Sequence, residues 1–267
     1  GRETLKMLSW DLMDLLGTSI AVYEKNGDYA FGMFVSGWCR LMDRASRSLC
    51  RTDDNAEALS CGKWLCHENC WHDSAQKAMA TGRATDIDCV GGTRLYAEPI
   101  YAGEEIIGSI NLGYGNPPTD EHTLDQLAKR FGIDPKEIKR VAREYKPRPP
   151  FIIENAKRRL KTVAQLIGEI VERKQTEERL RESEEKYRSY MESAPDGIFI
   201  CDEKGDYKEV NAAASIQTGY SREELLGMNL VDLAPPEDRE IAREHFQYVR
   251  EEGQPAEEVP FIRKDGS

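Results

Sequence analysis

The sequence predicts an α+β chain in which two small antiparallel-sheet domains are joined by one long helix. Three observations predict it. A stretch runs from about Pro149 to about Ala194, and after Pro149 and Pro150 no Gly or Pro except Gly168 occurs in it until Pro195. That stretch is rich in Glu, Lys, Arg, Leu and Gln, all good helix formers. Ahead of it, short apolar and β-branched runs are punctuated by the turn pairs Asn26-Gly27, Gly91-Gly92 and Ala102-Gly103, which read as hairpins. Behind it, two similar runs flank Glu203-Lys204-Gly205-Asp206. The expected domains are 1–148, a linking helix over 149–194, and 195–267.

In chain order, residues 3–16 place Leu5, Leu8, Leu12, Leu15 and Leu16 on one helical face, with Gly17 as a C-terminal cap. A hairpin follows around Asn26-Gly27. A segment dense in Trp and Cys comes next, with a helix from about Glu68 to Ala80 stopped by Gly82. Three strands then surround the two later turn pairs, giving an antiparallel sheet of about five strands. Two helices with acidic first turns, DEHTLDQLAKRFG and DPKEIKRVAREY, precede the long helix. In the second domain, Ser221 with Glu224 three residues on forms a capping box. A helix follows Pro235-Pro236, and a strand is expected from Glu257 to Arg263.

Within the long helix, Val163, Leu166, Ile170, Arg173, Glu177, Leu180, Glu184, Tyr187 and Met191 alternate by three and four. This is a heptad seam interrupted by three charges, the pattern of a weak, adjustable coiled coil. A parallel homodimer through this helix is expected. A solvated spacer helix is the plainer alternative.

Composition removes several classes. A net charge of -11 and a pI near 5.1 argue against nucleic-acid binding. No apolar run reaches membrane-spanning length, and mean hydropathy is -0.64. With no signal peptide at the start of the sequence, the expected location is the cytoplasm. Phosphate-cradling, kinase and serine-hydrolase motifs are absent from the sequence, so no catalytic residue is assigned.

Seven cysteines occur, six of them before residue 90. In a reducing compartment such a cluster points to metal, redox or ligand chemistry more than to disulfides. Cys61, Cys66 and Cys70 are compact, and a fourth thiolate from Cys50, most simply, or from Cys39 or Cys89 would complete a set for Zn²⁺ or an iron–sulfur cluster. The spacing matches neither a zinc ribbon nor a ferredoxin. Buried cysteines acting as small hydrophobes, or a redox-active dithiol, are the alternatives. His67 and His72 beside them read as helix-surface residues. Trp38, Cys39, Cys89, Tyr96 and Tyr114 are the candidate lining of a ligand pocket, with Trp64 and Trp71 nearby; core packing explains any one of the aromatics equally well. An enzyme built on a thiolate-bound metal is the alternative reading, with Glu68 as the acid inside the cysteine run.

Two resemblances fit these readings. YRSYMESAPDGIFICDEKGDYKEVNAAA, GYSREELLG, the Pro-Glu-Asp that follows and the closing RKDGS together resemble a PAS domain. In that family two more strands follow such a Lys-Asp-Gly turn, which implies that the PAS domain is truncated here. His245 lies where a haem-binding member would place a ligand; a surface position is expected, and no cofactor is assigned to this domain. Residues 1–148 and the start of the long helix resemble a PocR-type sensory domain. The matching residues are LLGTSIAVYEKNGDYAF, WCRLM, the Cys70-x2-Asp-Ser-Ala run, Cys89-Val90-Gly91-Gly92, and AEPI with EEIIGSINLG. Cys50, Cys61 and Cys66 depart from the family's pattern.

The resemblance implies two PAS-like antiparallel-sheet sensory domains and an input module for small molecules such as short diols or hydrocarbon derivatives. It also implies a downstream output, such as a histidine kinase with its response regulator.

Overall fold

The fold is that of a computed structural model. It describes residues 19–27, 29–34, 36–52, 54–253 and 260–267. The helix expected over residues 3–16 lies outside these, as does most of the strand expected from Glu257. The described part of that strand, from Pro260 to Arg263, is irregular chain. It is tied in by the Ile262 N–H donating to the Leu233 carbonyl at 2.8 Å.

The chain divides into two compact units, one ending at Gln175 and one spanning Thr176–Ser267. In the first, β1 (Ser19–Glu24) and β2 (Tyr29–Phe34) form the expected hairpin. The helical layer follows as α1 (Gly37–Ser48), α2 (Asn55–Ser60), α3 (Leu65–Glu68), a π-helix (Asn69–Ala75) and α4 (Gln76–Thr81). Next come β3 (Thr85–Asp88), β4 (Arg94–Ala102), β5 (Glu105–Tyr114), α5 (Glu121–Phe131) and α6 (Pro135–Glu144). The five strands pair antiparallel in the order β2-β1-β5-β4-β3. The β1–β5 pairing closes the sheet across the helical layer.

The helix α7 (Pro150–Ser193) is 44 residues long. Its first half belongs to the first unit. Ala156, Leu160, Val163, Ala164 and Ile167 fall at i, i+4, i+7, i+8 and i+11, so they form one stripe. That stripe packs on Ile20, Val22, Ile100, Ile110 and Leu112 of the sheet. The first domain therefore extends well past residue 148. Val163, expected at the head of a dimer seam, is spent on this intrachain core. From Leu166 onward the seam residues face outward: Leu166, Ile170, Leu180 and Tyr187 are all more than a third exposed.

Gly168 makes the approach of α7 to the sheet possible. A Cβ there would stand 1.7 Å from the Tyr101 carbonyl oxygen. One turn further on, the Glu172 carboxylate accepts a hydrogen bond from the Gly103 N–H at 3.1 Å.

In the second unit, β6 (Phe199–Cys201) and β7 (Tyr207–Val210) form a two-stranded sheet, followed by α8 (Ala212–Thr218), α9 (Arg222–Leu226) and α10 (Arg239–Glu252). The Ser221–Glu224 capping box is formed at the start of α9. The end of α7 is tied to this unit by Asn211. Its Nδ2 donates to the Met191 and Asp196 carbonyls at 3.0 and 2.9 Å, and its Oδ1 accepts from the N–H groups of Ile198 and Ala214. A cavity of about 310 Å³ lies between β6–β7 and α10, lined mainly by Phe199, Tyr207, Leu233, Phe246 and Phe261. His245, expected on the surface, borders it.

Candidate functional site, a thiol-lined cavity

Side chains of a strand alternate between its two faces. While Ile20, Val22, Ile110 and Leu112 face α7, their neighbours Ala21, Leu95, Asn111 and Gly113 face the helical layer. There they wall a cavity of about 40 Å³, room for a few water-sized groups. Trp38, Cys39 and Met42 of α1 close it from above, and Cys66, Cys70 and Cys89 complete the wall.

Local chemistry sets each of these residues. The Ser36 hydroxyl caps α1 by accepting from the Cys39 N–H at 3.1 Å, fixing Cys39 in the first turn. Cys66 ends up beside Cys70 because they are four residues apart along a helix. Cys70 lies in the π-helix, a widened turn that often marks functional sites. Its carbonyl accepts from Asn111 Nδ2 at 2.8 Å, which ties the widened turn to β5. Cys89 opens the β3–β4 turn: its N–H donates to the Thr93 carbonyl, and its sulfur accepts from the Gly91 N–H at 3.3 Å. The Gly91 carbonyl in turn accepts from Trp38 Nε1 at 2.9 Å, locking the indole over the cavity. Asn69 holds the same turn from the π-helix, accepting from the Val90 N–H at 3.0 Å.

Burial pushes the thiols of Cys39, Cys66, Cys70 and Cys89 above their ordinary value of 9.0, and those of Cys66 and Cys70 well above it. Left to themselves they are protonated near neutral pH. The Ser19 hydroxyl also lines the cavity. It is 5% exposed and has no conventional hydrogen-bond partner among the described residues; it lies at the Cys39 sulfur.

Of the expected ligand-pocket residues, Trp38, Cys39 and Cys89 meet here, but Tyr96 and Tyr114 do not. Their places on β4 and β5 put them on the opposite face, beside α7. There Lys157 lies over both rings, 5.4 Å from the Tyr96 centroid and 4.4 Å from that of Tyr114. Lys157 Nζ also pairs with Asp86 at 2.8 Å. Burial pulls the Asp86 carboxyl up, yet hydrogen bonds from Lys157, Tyr114 and Arg94 outweigh it and hold the group below its usual 3.8. This cluster pins the start of α7 to the sheet.

The expected metal set of Cys50, Cys61, Cys66 and Cys70 is divided. Cys50 and Cys61 form a disulfide, with Cα atoms 5.9 Å apart. The reason is the fold of the short loop between them: α2 turns the chain back, and Arg47 holds the loop by donating to the carbonyls of Thr52 and Asp54. Only Cys66 and Cys70 of the four reach the cavity. Among the described residues, no three His, Cys, Asp or Glu side chains are gathered closely enough to hold one metal ion. His67 is buried against the Tyr23 and Trp64 rings, and His72 pairs with Glu68 at 3.1 Å. Trp71 packs on Tyr23 as core. The residues that sequence reasoning missed include Ser19, Met42, Thr93, Leu95 and Asn111; Ser19, Leu95 and Asn111 lie on strands, where alternation was the one signal, and Met42 lies on α1 three residues after Cys39.

Among the described residues, no helix is long and apolar enough to cross a membrane. Comparison with known proteins gives two family matches: the sensory domain found in PocR, over residues 2–172, and the PAS fold, over residues 185–267. A methyl sulfide methyltransferase-associated sensor of Methanosarcina acetivorans is 31% identical over 109 residues, which are 40% of this chain and 11% of that protein. The chain thus spans a small part of that relative's length. A solved E. coli DhaR(N)–DhaL complex aligns at 12% identity and a TM-score of 0.47, over 98% of this chain and 76% of that one. An RNA-binding light-oxygen-voltage receptor aligns at 12% identity and a TM-score of 0.23, over 93% and 87%. By the first match, which takes in well over half of its length, the chain belongs to the family of the sensory domain found in PocR, and a PAS domain follows that domain.

Proposed function

We propose that this chain is the input region of a signalling protein, in which a change of occupant in the thiol-lined cavity alters the packing of α7. One observation carries the reading. The strands β1, β4 and β5 show one face to the cavity and the other to the α7 core. Ala21 lies between Ile20 and Val22, and Asn111 between Ile110 and Leu112. A dense interior passes a displacement on rather than absorbing it. An occupant acts only if it binds two packings of the helix unequally. The occupant is a small molecule or a thiolate-bound group; among the described residues no Asp, Glu, His, Lys or Arg lines the cavity, which supports a binding site over a catalytic one. The thiolate-metal enzyme would need such a base within reach.

The far end of α7 is tied to the PAS unit through Asn211 and through the Glu192 carboxylate, which accepts from the Ala212 N–H at 3.1 Å. The signal runs from there to an output that we take to be a histidine kinase in the cytoplasm, acting on a response regulator. The exposed apolar row on α7, Leu166, Ile170, Leu180 and Tyr187, is the surface on which a second copy docks in parallel. Replacing Leu166 and Ile170 together by Asp is expected to turn a dimer into a monomer in sedimentation velocity, because it buries charge in the seam. A wild-type chain that sediments as a monomer at high concentration would remove the dimer from the scheme.

A further inference from the structure

We propose that Cys39, Cys66, Cys70 and Cys89 are the four thiolate ligands of an iron–sulfur cluster seated in the cavity of the first unit. The inference rests on the cavity being the sensory site only for the cluster's role, not for its presence.

The first support is convergence. The described chain has five free cysteines, and four of them, from α1, α3, the π-helix and the β3–β4 turn, line this one cavity. The fifth, Cys201, lies in the other unit. Cysteines serving as small hydrophobes have no reason to line one cavity together.

The second support is how the sulfurs are spread. They line one cavity from four different elements, while among the described residues no three donors suit one metal ion. In a four-iron core each thiolate binds its own iron, and in a two-iron core each iron takes two, so neither needs three donors at one point.

The third support is the set of polar groups aimed at the sulfurs. The hydroxyls of Ser19 and Ser36 lie at Cys39 and that of Tyr23 at Cys70, while the Gly91 N–H donates to Cys89. A neutral thiol in an apolar wall needs no such partners, whereas a thiolate does. The buried Ser19 hydroxyl, with no other partner among the described residues, is otherwise a cost with no return.

Among the described residues no cationic side chain lines the cavity, which leaves the iron to balance four thiolates. On binding, each thiol exchanges its S–H bond for an S–Fe bond and releases one proton to solvent. The sulfurs are neither oxidised nor reduced, and iron and sulfide enter from outside.

The test uses the full chain, purified without oxygen and reconstituted with iron and sulfide. Iron and acid-labile sulfide are counted, and the visible absorption of iron–sulfur charge transfer is recorded. The expected result is at least about two irons with equal sulfide per chain, since four cysteines suit two- or four-iron cores. Cys66→Ser and Cys89→Ser should lose this signal, while the double variant Cys50→Ser/Cys61→Ser and the single variant Cys201→Ser keep it.

Wild-type protein that stays free of iron, or binds one zinc per chain instead, overturns the proposal. That count needs no variant, so a misfolded serine variant leaves it decisive. Iron lost with Cys50 and Cys61 but kept without Cys66 and Cys89 also overturns it. A bound cluster whose removal leaves hydrogen exchange in α7 unchanged would uphold the cluster and reject the relay. An iron-free chain whose α7 still responds to filling the cavity would do the reverse.

Discussion

Replacing Gly168 by alanine is expected to destabilise the first unit, although alanine is the better helix former. Propensity alone favours Ala over Gly by about 1 kcal/mol inside a helix. Against it stands the Tyr101 carbonyl oxygen, 1.7 Å from where the new Cβ would lie. That oxygen belongs to β4 backbone, which cannot turn aside as a side chain can. α7 must therefore lift, and Ile167 beside it must leave its core position. Overpacking of this kind costs about 1–3 kcal/mol and occasionally more. Gly168→Val, with two further methyls and a poorer helix former, should cost about 3 kcal/mol or more. At roughly 2–4 °C per kcal/mol for a domain of this size, thermal unfolding followed by circular dichroism should fall by about 6–12 °C. A Gly168→Ala chain that melts higher than the wild type would mean that helix and sheet are not in contact here.

Truncating Trp38 to alanine is expected to have the largest effect of any change in the cavity wall. The side chain is 1% exposed and packs with Leu41, Met42 and the α5 core. Losing it should cost about 3–5 kcal/mol in transfer and cavity terms. It also strands the Gly91 carbonyl, whose hydrogen bond from the indole is 2.9 Å. Trp38→Phe keeps most of the buried area and loses that hydrogen bond. It should cost about 1–3 kcal/mol, the penalty for an unmet buried acceptor. The two variants separate packing from the lock on the β3–β4 turn. Urea midpoints at constant slope are the measurement. A Trp38→Phe midpoint equal to that of the wild type would show that the indole nitrogen contributes nothing.

The parts of the fold read correctly from sequence carry local signals. Asn26-Gly27, Gly91-Gly92 and Ala102-Gly103 each lie at a turn between strands of the observed sheet, and Ser221 with Glu224 closes a capping box. The long helix begins at Pro150, one residue from where proline and composition placed it. What stayed hidden needed the third dimension. Alternation along β4 and β5 showed that Leu95 and Tyr96 part company, but not which of them meets the cysteines. The π-helix at Asn69–Ala75 has no sequence period of its own, so it read as ordinary helix. Disulfide connectivity cannot be deduced from spacing, and Cys50 with Cys61 therefore passed for metal ligands. In α7 the stripe that packs on the sheet and the heptad seam share Val163, and a heptad pattern alone does not say which partner claims it.

The shared-sheet relay is tested most directly by amide hydrogen exchange in α7 when the cavity is filled from the far side of the sheet. Ala21→Val adds two carbons to the cavity wall and touches no residue of the helix. Overpacking the cavity should cost about 1–3 kcal/mol, and 1.4 kcal/mol is a factor of ten in an equilibrium. The account expects exchange at residues 156–167 to change by about tenfold, and by more than at residues 212–226 of α8 and α9, which pack in the separate core of the second unit. Unchanged exchange at 156–167, or one uniform shift through both cores, would contradict it.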